Sequence, residues 1–73
     1  MNITTITDTI KVYLPTAETY PVLEGNGKVL FRYDGCQYVT DGYTVTEIMD
    51  DPEFPEVDID MDFEEALDFI AGL

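Results

Sequence analysis

Carboxylates are the only chemically capable side chains that this sequence supplies in quantity. Sixteen Asp and Glu stand among 73 residues, against three Lys and Arg and no His. Ser is absent too. A Ser-His-Asp or Cys-His arrangement therefore cannot be assembled within one chain. One Cys and no His leave a zinc site short of its usual Cys and His ligands and an internal disulfide without a second thiol. Cys36 falls in a predicted strand with no base on its own face, and a small buried hydrophobe is the expected role. Paired carboxylates are the chemistry of glycoside hydrolysis. One of such a pair must sit in a pocket that raises its pKa, and a chain this short offers little pocket. The expectation is no enzymatic activity, no catalytic residue and no cofactor.

Calcium is the competing use of so many carboxylates. Asp58-Ile59-Asp60-Met61-Asp62 matches the opening D-x-D-x-D of an EF-hand loop. That loop needs Gly at its sixth position for a sharp turn and a bidentate Glu at its twelfth. Here those positions are Phe63 and Phe69. Both failures fall on structurally necessary places, so no built metal site is expected, and micromolar calcium should leave the thermal midpoint unchanged.

The placement of charge is the main organisational feature. Residues 1–46 hold five acids and all three bases, a net −2; residues 47–73 hold eleven acids and no base, a net −11. Ordinary surfaces mix both signs. Direct binding to nucleic acid is disfavoured, because phosphate is neutralised by Lys and Arg. An anionic membrane surface is disfavoured for the same reason. No run approaches the roughly 20 apolar residues of a membrane span, and no basic segment followed by an apolar run opens the chain. A cytosolic location is the expectation.

These acids must be positioned by a small fold. Hydrophobic residues are 45% of the chain, enough for one domain over 1–73. The first half reads as β. Thr5–Leu14 is rich in Thr, Ile and Val, with Ile6, Ile10, Val12 and Leu14 on one face of a period-2 pattern that Asp8 breaks. Pro15 and Pro21 bracket an extended connection, and Gly25-Asn26-Gly27 marks a turn. Asp34-Gly35 and Asp41-Gly42 each lie between short apolar or β-branched runs, the signature of two-residue hairpins. Tyr33 then faces Cys36, Phe31 faces Tyr38 and Val29 faces Thr40. Across the second turn Thr40 faces Tyr43 and Tyr38 faces Val45. The expected core face of this meander is Val29, Phe31, Tyr33, Cys36, Tyr38, Tyr43 and Val45. Thr44 and Glu47 also have capping-box spacing, so a short helix over 45–50, stopped by Pro52, competes with a strand over 43–47.

Residues 50–55 carry two prolines and three acids and should be a loop. Glu56–Phe63 alternates without fault, which predicts an extended segment with one wet and one buried face. Glu56, Asp58, Asp60 and Asp62 would then form a line of charges about 6.6 Å apart. Asp62 and Glu65 have capping-box spacing, and Phe63, Ala66, Leu67 and Ile70 recur at helical spacing, predicting a helix over 63–71. The fold class is α+β: a small antiparallel meander with this helix packed on one face.

The candidate partner-binding residues are Asp50, Asp51, Glu53, Glu56, Asp58, Asp60, Asp62, Glu64, Glu65 and Asp68, with Phe54 and Tyr20 as exposed anchors. In size, charge and charge layout over 47–73, the chain resembles the small acidic phage-type inhibitors that mimic DNA: anti-CRISPR proteins, anti-restriction proteins and uracil-DNA glycosylase inhibitors. The likeness is of type and carries no shared motif. It implies a partner that is a basic nucleic-acid-binding protein, with its channel blocked by the acidic surface. The alternative is an acidic adaptor or virion-associated protein that binds through apolar surface, its charge serving solubility.

Overall fold

The computed structural model describes residues 1–22 and 27–73. Elements run α1 (Ile3–Tyr13), β1 (Glu18–Val22), β2 (Lys28–Tyr33), β3 (Cys36–Thr40), β4 (Val45–Ile48), β5 (Glu56–Ile59) and α2 (Phe63–Ala71). The five strands form one antiparallel meander in the order β1-β2-β3-β4-β5. The α+β class, an antiparallel meander of three or more strands and the C-terminal helix are as the sequence predicts; the structure adds an N-terminal helix.

That second helix corrects the reading of Thr5–Leu14 as a strand. Asn2 caps α1, its side chain accepting the Thr5 amide at 2.8 Å. Ile6, Ile10 and Leu14 recur every four residues and are fully buried. The β-branched residues of α1 each cost at most about 0.7 kcal/mol of helix propensity. Burying each of those three side chains contributes about 1.5–3 kcal/mol, the larger effect per residue. Asp8, which spoils the strand pattern, lies exposed on the helix. The helix stops at Leu14, ahead of Pro15, which cannot continue it.

The first hairpin forms as expected. Asp34 and Gly35 both have positive φ, 50° and 82°, as a type I′ turn requires, and Tyr33↔Cys36, Phe31↔Tyr38 and Val29↔Thr40 are paired. The second hairpin does not form as expected. Its register is Thr40↔Val45 and Tyr38↔Glu47, with a four-residue loop over 41–44. The cause is local. Asp41 Oδ1 accepts the Tyr43 and Thr44 amides, each at 2.8 Å, which winds the loop into an Asx turn. Thr40 Oγ1 donates to the Thr44 carbonyl at 2.6 Å and accepts the Gly42 amide at 3.1 Å.

Both helices lie on one face of the sheet. Ile6, Ile10 and Leu14 of the first helical layer, Phe63, Ala66, Leu67 and Ile70 of α2, and Val29, Phe31, Tyr38 and Val45 of the sheet form one cluster. Phe31 and Tyr38 stack with centroids 5.0 Å apart. Two expected core residues are corrected: Cys36 and Tyr43 are exposed, and Tyr33 is half-buried. Tyr43 is lifted out by the longer loop, and Cys36 sits beside the turn in the last row of the sheet. Residues 45–48 are strand, not helix. The Gly25-Asn26-Gly27 turn lies largely outside the described residues; Gly27 itself has a φ of 86°.

Candidate functional site

All ten candidate acids are exposed. Asp50, Asp51 and Glu53 lie in the 49–55 loop between β4 and β5. Its one internal side-chain bond runs from the Glu53 amide to Asp51 Oδ1, at 2.9 Å. Glu56 and Asp58 lie on β5, an edge strand. Asp60 is in the turn that follows, and Asp62 is the N-cap of α2. Glu64 and Glu65 occupy the first turn of that helix, where the macrodipole favours negative charge. Asp68 lies one turn further on.

The expected line Glu56-Asp58-Asp60-Asp62 is corrected by this geometry. The strand ends at Ile59, because the Met61 amide turns back to the Ile59 carbonyl at 2.8 Å. Only Glu56 and Asp58 keep the strand spacing. Val57 and Met61, expected on a buried face, are exposed. The capping box is corrected as well: Asp62 holds the N-cap position, but its side chain makes no cap hydrogen bond.

Register settles which way the strand acids point. Opposite residues share a face, so Glu18, Arg32, Gln37, Ile48 and Glu56 form one row, and Tyr20, Leu30, Val39, Thr46 and Asp58 the next. These rows lie on the face that no helix covers. Thr46 Oγ1 donates to Asp58 Oδ1 at 3.0 Å across that face. Glu64, Glu65 and Asp68 belong to the helical layer on the other side. Asp58, Asp60, Asp62 and Glu65 therefore pass round the β5 end from the uncovered face to the helical layer, while Glu64 lies against Tyr13 of the first helix.

The structure brings some of them together. Asp58, Asp60, Asp62 and Glu65 line one open cleft of about 690 Å³, with Tyr43, Thr44, Ile59 and Met61 between them. Tyr43 and Thr44 are the lining residues that sequence reasoning missed, because a two-residue turn places them in the sheet. The visible signal was Asp41 with Thr44 three residues on, the spacing of an Asx-type turn. Tyr13 of the first helix donates its hydroxyl to Glu64 Oε1 at 3.0 Å. That bond and the adjacent carboxylate charge raise the Tyr13 pKa. Asp41 is held below the usual carboxylate range, chiefly by the Thr44 amide. Both anchor candidates are on the surface, Phe54 at 64% and Tyr20 at 44% exposure.

Among the described residues no group of three or more ligating side chains is arranged to hold a metal ion, and no helix is long and apolar enough to cross a membrane. Comparison of the chain with protein-family models, with curated proteins and with solved structures found no match.

Proposed function

We propose that this chain inhibits a nucleic-acid-binding host defence enzyme, a CRISPR effector or a restriction nuclease, by presenting an acidic surface to its basic nucleic-acid site. The observation that carries the reading is the exposure of all ten acids in a stretch that holds no base after Arg32. Charge at this density tends to drive a compact fold apart. The three bases stand apart from it, Lys11 on the first helix and Lys28 and Arg32 on β2.

A groove shaped for phosphate attracts such a surface at long range and accelerates encounter. Charge complementarity then selects the partner class, and apolar contacts fix the register. Phe54, Val57 and Met61, exposed among the acids, are the side chains placed to make those contacts. The wrapped layout suits a concave channel better than a flat surface, since it offers charge on two sides of one margin. The site of action on this reading is the cytoplasm of the host cell.

The experiment is a pull-down from host lysate at low and high salt, followed by DNA competition against each enzyme recovered. Affinity should fall steeply with salt, and DNA should displace the chain. Binding that ignores both salt and DNA refutes the reading. It would favour instead an adaptor or virion-associated protein working through apolar surface. That second reading has an observation of its own, for Tyr20, Val22, Leu30, Val39 and Ile48 lie on the uncovered sheet face.

A further inference from the structure

The sheet ends in two unlike margins. At β1 the edge contains Pro21, which has no amide to donate and blunts pairing. The β5 margin contains no proline. Its free groups follow from the parity of the ladder. The Met49 amide donates to the Pro55 carbonyl at 2.8 Å, one step before the Ile48↔Glu56 pair. Bonded and non-bonded pairs alternate along an antiparallel ladder. Glu47–Val57 and Val45–Ile59 are then the bonded pairs. Glu56 and Asp58 turn their N–H and C=O groups away from β4, toward the open margin.

Side chains alternate there as well. Glu56 and Asp58 project on the uncovered face, while Val57, 44% exposed, and the half-buried Ile59 project on the other. A second copy is a poor occupant of this margin. Pairing β5 with β5 would set Glu56 and Asp58 beside their own kind, and like charges opposite one another are destabilising. The β1 margin of a second copy offers Glu18 and Pro21 and fares no better.

We propose that the free margin of β5 takes up an extended segment of the partner protein as a sixth strand, basic at the positions beside Glu56 and Asp58 and apolar at those beside Val57 and Ile59. This rests on the acidic-inhibitor reading and specifies how the partner is held. Main-chain bonds to Glu56 and Asp58 supply affinity, and the alternating pockets supply specificity. The acids that repel a second copy select a basic strand.

The probe is a ten-residue peptide alternating Arg and Val, compared with an analogue of equal charge carrying N-methyl groups on alternate residues. Amide exchange of the labelled protein is read by NMR. The plain peptide should slow exchange at Glu56 and Asp58 at least tenfold, and the methylated one should not. If both peptides bind equally with those two amides unprotected, the strand is refuted while charge attraction, and with it the inhibitor reading, stands. If neither binds at low salt, the strand is refuted outright, and the DNA competition decides the function separately. Two variants give an independent check. D58N removes the charge and keeps the amide; D58P removes both, without touching a ladder bond. D58P should weaken the plain peptide at least fivefold more than D58N does, and equal losses overturn the proposal. Thermal melts of both variants confirm that each is folded, and the exchange experiment needs neither.

Discussion

Gly42 and Gly35 look alike in sequence, each following an Asp in a hairpin turn, yet alanine should affect them differently. Both have positive φ, +92° and +82°, so alanine at either is strained by about 1–2 kcal/mol. They differ in what surrounds them. A Cβ at Gly35 meets nothing within 4 Å. At Gly42 it would lie 3.1 Å from Met1 Cβ and Sδ and 3.2 Å from Ile6 Cγ1. Met1 is half exposed and can move, but Ile6 is fully buried in the core cluster. Overpacking of that kind adds about 1–3 kcal/mol. G35A should therefore cost about 1–2 kcal/mol and G42A about 2–5 kcal/mol. Each kcal/mol lowers Tm by roughly 4–8 °C in a domain of this size. Urea titration with both variants at constant m-value measures the difference. Equal losses would show that the first helix is not seated on the 41–44 loop, and the close packing of Ile6 against Gly42 would be refuted. The loop matters to the site because Tyr43 and Thr44 line the acidic cleft.

The triple variant D58N/D60N/D62N should stay folded by circular dichroism and lose most of its partner affinity; retained affinity would move the contact surface elsewhere. At neutral pH, adding NaCl should raise Tm, because a net charge of −13 repels itself in the compact state; a Tm that falls with salt contradicts this. Asp41 has a folded pKa below its ordinary 3.8, so its contribution is present above that value and lost as pH falls through the depressed one. D41A should cost about 1–3 kcal/mol at pH 7, and the gap between wild type and D41A should narrow toward pH 2; a constant gap sinks the assignment. Burial, followed by the neighbouring Cys36, raises the Tyr38 pKa above its ordinary 10. That contribution is complete below pH 10 and lost at higher pH, so wild type should destabilise above pH 10 more steeply than Y38F, which chemical denaturation at pH 9 and 11 will reveal.

Where information was local, the sequence carried it. Asp34-Gly35 set its hairpin and register because both residues tolerate positive φ and the flanking runs alternate cleanly. Phe63–Ala71 was legible from its apolar spacing. The charge asymmetry, and the exposure of the ten acids that follows from the cost of burying charge, needed no tertiary information. Two features were decided only by tertiary structure, and a third by a local side-chain capture that the Asp-Gly pattern does not report. Ile3–Tyr13 has the composition of a strand, and it is a helix because its four-residue stripe of Ile6, Ile10 and Leu14 finds the bare face of a sheet that lies far away in sequence. The second Asp-Gly pair differs from the first because the Asp41 carboxylate captures two amides ahead of it, which lengthens the loop and shifts β4 by two residues. The acids of 56–62 alternate as though on one strand, but the chain turns after Ile59 to bring Phe63, Ala66, Leu67 and Ile70 onto the core. Periodicity reports which side chains prefer water. Where the backbone must bend so that the others can leave water depends on a surface formed by the rest of the chain.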